Sequence, residues 1–361
     1  MNKRPFIILS TFLLLFSLIE KGQATETYRP ETSVAGFIQL PGSGRQVYNF
    51  NPGWRFFRGD VQGAEAVNFD DRSWNVVSTP HTVELMPAEG SGCRNYQGPA
   101  WYRKHFVLPA ETKGKRVVLH FEAAMGKQIL YLNGKRIQEH LGGYLPFTLD
   151  LTANGVQAGD SCLLAVFTDN SDDKSYPPGK RQYTLDFAYH GGIYRDVWMI
   201  AKSPVAITDA IDSQIVGGGG VFVHFDKISK KSAQVYVNTE VQNDDARSES
   251  VTVETTLTDA DGKVIKRSSG KLSLKPGEKK SIRQQMEVKN PTLWSPDTPY
   301  LYRVQSRIKK GNKSIDGGIT RVGIRLAEFR GKDGFWLNGK PFGQLVGANR
   351  HQDFAYVGNA L

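Results

Sequence analysis

The chain has 361 residues, 39% of them apolar and 11% aromatic, with 37 glycines and a formal charge of +10. This is ordinary globular composition, long enough for two or three domains, and it excludes a disordered tail, a collagen-like repeat or a polytopic membrane protein. The charge alone suggests nucleic acid or an anionic surface. However, the basic residues concentrate between Lys263 and Arg283 at strand-like spacing, without aromatic residues interleaved to stack bases, so they read as a solvated strand face.

Taken in chain order, Met1-Asn-Lys-Arg4 is a positive n-region and Phe6 to Ile19 an apolar h-region, with Gly22-Gln-Ala24 supplying small residues for cleavage after Ala24. Residues 1–24 are therefore expected to be a secretory signal of an exported, periplasmic protein that has no membrane span once cleaved. The apolar run is too short for a stable span. Roughly 335 residues remain for folded domains.

Residues 47–203 read as short strands separated by Gly, Asp, Asn and Pro loops. Arg116 to Phe121, Gln128 to Leu132, Lys135 to Ile137, Cys162 to Phe167 and Tyr194 to Ile200 are the expected strands, and Asn133-Gly134 is a strong hairpin signal. The pattern predicts a two-sheet jelly roll. Trp74 and Trp198 fall within these patterns and are assigned to core packing. Residues 204–325 alternate with period two over Ala233 to Val241, Ser250 to Leu257 and Ser281 to Val288, and predict an immunoglobulin-like β-sandwich. The glycine run 217–220 lacks the lysine and helix of a phosphate cradle and reads as a loop.

From residue 326 a hairpin at Asn338-Gly339 leads into an expected apolar strand that ends on Asn349, Arg350 and His351. Polar groups at the C-terminal end of a strand are how an α/β barrel opens its active site, so 326–361 is expected to start such a barrel without completing it. The fold class is thus all-β, with the first hairpin and strand of an incomplete (β/α)8 barrel.

No self-contained catalytic centre is visible. The adjacent pairs Asp70-Asp71, Asp172-Asp173 and Asp244-Asp245 are expected to cap turns rather than to face each other across a bond. No Gly-x-Ser-x-Gly elbow occurs, and the two cysteines, Cys93 and Cys162, have neither metal-ligand neighbours nor any sequence feature that brings them within bridging distance.

Several segments resemble glycoside hydrolase family 2, the family of β-galactosidase, β-glucuronidase and β-mannosidase. Phe69-Asp-Asp-Arg-Ser-Trp-Asn-Val-Val-Ser-Thr-Pro-His81 resembles the opening of its N-terminal sugar-binding domain, and Ala100-Trp-Tyr-Arg-Lys-His-Phe106 the strand that follows. Gly191-Gly-Ile-Tyr-Arg-Asp-Val-Trp198 resembles that domain's closing signature, and Asn290 to Tyr302 a late hairpin of the immunoglobulin-like domain. Gly323-Ile-Arg325, Gly334 to Pro341 and Asn349-Arg-His-Gln-Asp353 resemble the crossing into the barrel and its first strand end. The order is that of the family over essentially the whole chain after residue 24.

The resemblance implies a retaining hydrolase of O-glycosyl bonds in carbohydrate metabolism, with β-linked oligosaccharides or glycosides as partners and the galactosidase-like branch favoured. It makes His351 the main substrate contact and Asn349 and Arg350 organisers of the strand end, Arg350 being equally explained by a salt bridge inside the barrel. It makes Asp186, in the loop Tyr183 to Phe187, a sugar contact unless it is a plain loop aspartate, and it sets Asn95 nearby. It implies no catalytic residue here: the family's acid/base and nucleophile glutamates follow the fourth and seventh barrel strands, about 90 and about 180 residues beyond the first. The chain by itself is therefore expected to be inactive. The family can use a divalent or monovalent cation and form homo-oligomers, but no cofactor ligand is assignable. Between Pro341 and Asn349 the chain is one residue longer than the family pattern, with Gly343 the extra residue, and this predicts either a β-bulge or a flip of the side chains beyond it. The alternatives are a freestanding carbohydrate-binding or scaffold module, and a fragment of a β-glucuronidase- or β-mannosidase-type enzyme.

Expression with the leader intact in a Gram-negative host is expected to give a mature chain that begins at Thr25. Intact mass of the periplasmic fraction checks this, and a cytoplasmic product that retains residues 1–24 would contradict it.

Overall fold

The computed structural model describes residues 27–35, 39–88, 95–351 and 354–360. The expected leader and Cys93 lie outside them, while Cys162 is a buried free thiol. The described residues form antiparallel sheets, and their one α-helix is the four-residue Ala210–Ser213.

Two sheets make the first sandwich. One orders Glu31–Thr32, Gln46–Asn49, Val197–Lys202, Arg116–Phe121 and Phe147–Asp150. The other orders Asn75–Val77, Trp54–Arg58, Pro99–Val107, Ser161–Asp169, Lys127–Leu132 and Lys135–Leu141. Their inner faces share one core that includes Tyr48, Trp54, Tyr102, Phe106, Leu119, Phe121, Leu164 and Met199. This is the expected jelly roll. Asn133 and Gly134 take φ of 51° and 81°, the left-handed pair that a two-residue hairpin needs.

The second sandwich packs Val205–Ile207, Val221–Asp226, Ser232–Asn243 and Lys279–Lys289 against Val264–Leu274, Glu249–Thr258, Tyr302–Lys310 and Lys313–Val322. Val235, Val237, Leu257, Met286 and Val304 meet between the sheets. Lys266, Lys271, Lys279, Lys280 and Arg283 are exposed, as expected of a solvated basic stretch.

Several expectations change. The strand expected from Tyr194 begins only at Val197. Residues 191–193 instead pair with a loop and with residue 125: His81 and Val83 donate to the carbonyls of Ile193 and Gly191, and Met125 donates to that of Gly192. Asp71 is no turn cap. Its side chain is buried and accepts from Arg103 Nε at 2.8 Å and His105 Nε2 at 2.9 Å, because both face it from the Pro99–Val107 strand. Asp244 likewise pairs with Arg116 at 2.6 Å. At the chain's end Ala327–Phe329, Phe335–Leu337 and Lys340–Gly343 form a small sheet, but residues 344–351 join no strand, having no ladder to pair with. The strand carries a bulge where an extra residue was expected: Trp336 pairs with Pro341 and Phe335 with Gly343, leaving Phe342 unpaired.

Lys104 crosses the jelly-roll core fully buried. Its Nζ donates to the carbonyls of Phe50, at 2.6 Å, and Pro52, and sits 3.9 Å from the Tyr28 ring centre and 4.1 Å from that of Phe50. Burial pushes its amine well below the usual lysine range.

The sandwiches are joined through Asp316. Its fully buried carboxylate accepts both Nε and Nη2 of Arg45 at 2.8 Å, and Oδ2 also accepts the Ile207 amide at 2.8 Å. Lys202 donates to the Ile207 carbonyl at 3.2 Å, and desolvation pulls its amine down to about 8. Removing one partner of a buried pair strands the other. Asp316→Ala is therefore expected to cost on the order of 3 kcal/mol, read as a lower urea midpoint, whereas Asp70→Ala, at an exposed pair, leaves the midpoint within error.

Candidate functional site

The site is built on the excursion from Asp169 to Val197, which joins the last strands of the jelly roll. Its anchor is Asn170, 1% exposed. The Asn170 Oδ1 accepts the Gly98 amide at 3.0 Å, and its Nδ2 donates to the carbonyls of Tyr96 at 2.8 Å and Tyr189 at 3.2 Å. Asp172 Oδ1 then accepts the Gln182 amide at 2.9 Å, Gln97 Nε2 at 3.0 Å and the Tyr189 hydroxyl. Desolvation would raise the Asp172 carboxyl, but these hydrogen bonds outweigh it and hold the group below the usual range. The buried Gln182 accepts the Tyr189 amide at 3.2 Å and donates to Asn95 Oδ1 at 2.5 Å. The ends of the 183–188 turn are thus tied together, and its tip presents Asp186, whose side chain is 89% exposed.

A second segment docks against this wall. Val357 and Ala360 pack on Ala123, Met125, Leu185, Tyr189 and Tyr194, and Met86 donates its amide to the Tyr356 carbonyl at 2.9 Å. Gly358, at φ 57°, lies so close to His190 that a Cβ there would fall 2.6 Å from the imidazole. This docking brings the chain just ahead of it across from the loop. His351 Nε2 lies 3.8 Å from Asp186 Oδ2, and its ring centre is 6.2 Å from that of Phe187.

Between the two segments lies a cavity of about 690 Å³. Asp186, Asn349, Arg350 and His351 line it together, although Asp186 is far from the other three in sequence. Asn95 does not line it; half-buried, it braces the loop from behind through Gln182, with its Nδ2 3.4 Å from the Tyr189 carbonyl. Glu122, Tyr144, Phe187 and Arg195 line the cavity as well and were not singled out from sequence. Arg195 sits inside the Gly191 to Trp198 signature, which was a usable signal. Trp198, read as core alone, is buried but also donates its indole N–H to Glu122 Oε1 at 2.9 Å and so orients that carboxylate. The Tyr194 hydroxyl donates to the Gly143 carbonyl, and burial pushes this phenol up to about 12.

The lining is a set of carboxylates, guanidinium groups, an amide and an imidazole around aromatic rings, able to donate and accept hydrogen bonds with a polyhydroxylated ligand. Its volume lies within the range of about 300–1,000 Å³ usual for small-molecule sites. Among the described residues no group of three His, Cys, Asp or Glu is placed to hold a metal ion.

A jelly roll followed by an immunoglobulin-like sandwich, with a polar cavity at the jelly roll's edge, is the architecture of the non-catalytic domains of a glycosidase. The model for the sugar binding domain of glycosyl hydrolases family 2 matches residues 57–204, and a second model of that family matches 219–325. The chain belongs to glycoside hydrolase family 2. It is 34% identical to a β-galactosidase of Thermoanaerobacter pseudethanolicus over 318 residues, covering 88% of this chain and 40% of that protein. It is 33% identical to a β-glucuronidase of Formosa agariphila over 333 residues, covering 88% of this chain and 33% of that one. A solved β-glucuronidase of the family superposes with a TM-score of 0.78 at 32% identity, over 89% of this chain and 35% of that one. The chain therefore spans about a third to two fifths of the length of these relatives.

Asn170→Ala removes the side-chain acceptor of the Gly98 amide and the bonds to the Tyr96 and Tyr189 carbonyls. An unsatisfied buried donor costs about 1–3 kcal/mol. Hydrogen exchange of amides 182–190 is expected to speed up roughly tenfold or more while the Ser232–Asn243 strand keeps its protection.

Proposed function

We propose that this chain forms the sugar-binding flank of an exported, retaining glycosidase that acts on β-galactosides. The observation that carries the reading is the approach of His351 to Asp186 across a cavity that two distant segments assemble. Asp186 would accept hydrogen bonds from sugar hydroxyls. His351 would donate to a hydroxyl or meet developing charge through its imidazole. Asn349 and Arg350 would order the segment that presents it. Retaining hydrolysis needs an acid/base and a nucleophile about 5–5.5 Å apart on opposite sides of the bond. Of the carboxylates that line the cavity here, Glu122 accepts the Trp198 indole N–H and Asp186 stands on an exposed turn tip, which favours binding over bond cleavage. In this reading the barrel that the family adds supplies both glutamates, and the 361 residues alone do not turn over substrate. Export rests on the leader pattern of residues 1–24.

One observation favours a second sugar. Arg195 and Arg350 both line the cavity, and a guanidinium matches a carboxylate in a two-pronged hydrogen bond. A β-glucuronide brings such a carboxylate, and two of the relatives and structures above carry the β-glucuronidase name.

Saturation-transfer NMR with methyl β-galactoside, β-glucuronide and β-mannoside on the 361-residue chain tests this, alongside chromogenic assays of the same series. The β-galactoside is expected to bind best, and His351→Ala and Asp186→Asn each to weaken it about tenfold, one lost hydrogen bond's worth. No chromophore should be released. A preference for the glucuronide that Arg350→Ala abolishes would establish the second reading, and turnover by the chain would overturn the assignment of catalysis to residues outside it.

A further inference from the structure

We propose that one basic edge of the immunoglobulin-like sandwich is a docking surface for a linear acidic polysaccharide, separate from the cavity at Asp186 and His351. The choice of a polysaccharide rests on the glycosidase reading above; the surface itself does not. Residues 261–290 hold nine basic and three acidic residues, and so carry six of the chain's ten net positive charges. They fall on Val264–Leu274 and Lys279–Lys289, each an edge strand of its own sheet. The turn between them lays the two strands side by side. Lys280 Nζ donates to the Ser273 carbonyl at 2.7 Å, and Gly270 lies so close to Ile282 that a Cβ there would collide with its Cδ1. At the far end Lys289 pairs with Ser232, and the Asn290 amide donates to the Lys231 carbonyl at 2.8 Å. This brings the exposed Lys230 and Lys231 to the same strip.

Elsewhere on the molecule Arg58, Arg72, Arg136, Lys310 and Arg330 each meet a carboxylate at 2.9 Å or less. On the strip this balance is missing. Glu278 is taken by Lys280 at 3.1 Å and by the Lys275 amide at 2.7 Å. Lys263, Lys266, Arg267, Lys271, Lys279 and Lys289 are exposed and, among the described residues, form no ion pair. Uncompensated like charges held on neighbouring strands raise the local potential, which a polyanion relieves by displacing their counter-ions. The shape selects the polyanion. Each strand has eleven residues, which at about 3.3 Å per residue gives a length of about 36 Å, whereas packed sheets stand only about 10 Å apart. A linear chain lies along such a strip; a bilayer presents a plane. No aromatic residue falls between 263 and 289, and the Tyr236 ring beside them is taken up by the Arg283 guanidinium at 4.3 Å and the stacked His224 ring at 5.0 Å. The strip thus lacks the stacking platform that single-stranded nucleic acid uses. Lysine ammonium groups on flexible stems act as point charges that follow a repeating anionic polymer without fixed geometry.

The experiment measures binding of the 361-residue chain to polygalacturonate, neutral dextran, duplex DNA and phosphatidylglycerol vesicles, at low and at physiological salt, in the parent and two triple variants. One carries Lys266→Glu, Lys271→Glu and Lys279→Glu on the strip. The other carries Lys135→Glu, Lys174→Glu and Lys313→Glu, three exposed lysines elsewhere, and changes the net charge by the same amount. The parent is expected to bind polygalacturonate and not dextran, more weakly as salt rises. The strip variant should lose about tenfold or more in affinity, and the dispersed variant no more than about twofold. Equal losses in the two variants would trace the attraction to net charge and overturn the surface. Tighter binding of DNA or vesicles than of polygalacturonate would overturn the choice of partner. Competition by methyl β-galactoside would move the binding to the cavity and overturn the proposal as well. Failure to bind any polyanion overturns the surface but not the glycosidase reading, which binding of methyl β-galactoside tests separately. If the glutamate variant on the strip does not fold, Lys266→Gln, Lys271→Gln and Lys279→Gln together give the same comparison.

Discussion

The buried amide of Asn170 is the constraint on which the candidate site depends. A long excursion between two strands would otherwise sample many conformations, and its closure would cost entropy that surface contacts alone do not offset. Asn170 fastens the beginning of the excursion to Tyr96 and Gly98 and also reaches Tyr189 near its end. Asp172 and Gln182 repeat the tie further out. Because these groups are satisfied within one network, breaking one member exposes the others to the full penalty of an unpaired buried polar group. The exposed tip at Asp186 is therefore carried by a rigid base, which a residue meant to meet a ligand at a fixed distance requires.

The domain junction uses a different economy. Asp316 is desolvated completely, a cost that a single surface ion pair would not recover. It is recovered here because one carboxylate takes three hydrogen bonds, two from a planar guanidinium and one from a backbone amide. Lys202 beside it is handled in the opposite way: it meets a neutral carbonyl, and its amine loses basicity. The same solution appears at Lys104 in the jelly-roll core.

Much of the fold was legible because strand alternation and left-handed turn residues are local signals. Arg116–Phe121 was found to the residue, and both Asn-Gly hairpins lie where the dipeptides put them. Three things were not legible. Asp71 looks like its neighbour Asp70 in sequence, yet Asp70 faces water with Arg72 while Asp71 turns inward to two strand residues more than thirty positions away. Residues 344–351 have a strand's composition, but a strand is made by its partner, and none pairs with them here. Glu122 and Tyr144 carry no local pattern that marks a site; the jelly roll sets them beside Arg195, and the C-terminal segment supplies the opposite wall of the cavity. The resemblance to a family brought Asp186 and His351 into consideration together, which periodicity and spacing do not do.

The bulge at Phe342 bears on how such chains change length. Lys340–Gly343 is the edge strand of its three-stranded sheet, with one side free of a ladder. The bulged Phe342 is taken up on the spot, with Gly343 at φ 89° completing the bend. The sheet edge thus works as a length buffer between a fixed hairpin and the segment that carries His351. Insertions that would shift the phase of a central strand can accumulate at such an edge almost silently. Equivalent residues in two members of the family are therefore to be matched by pairing partner and not by counting along the chain.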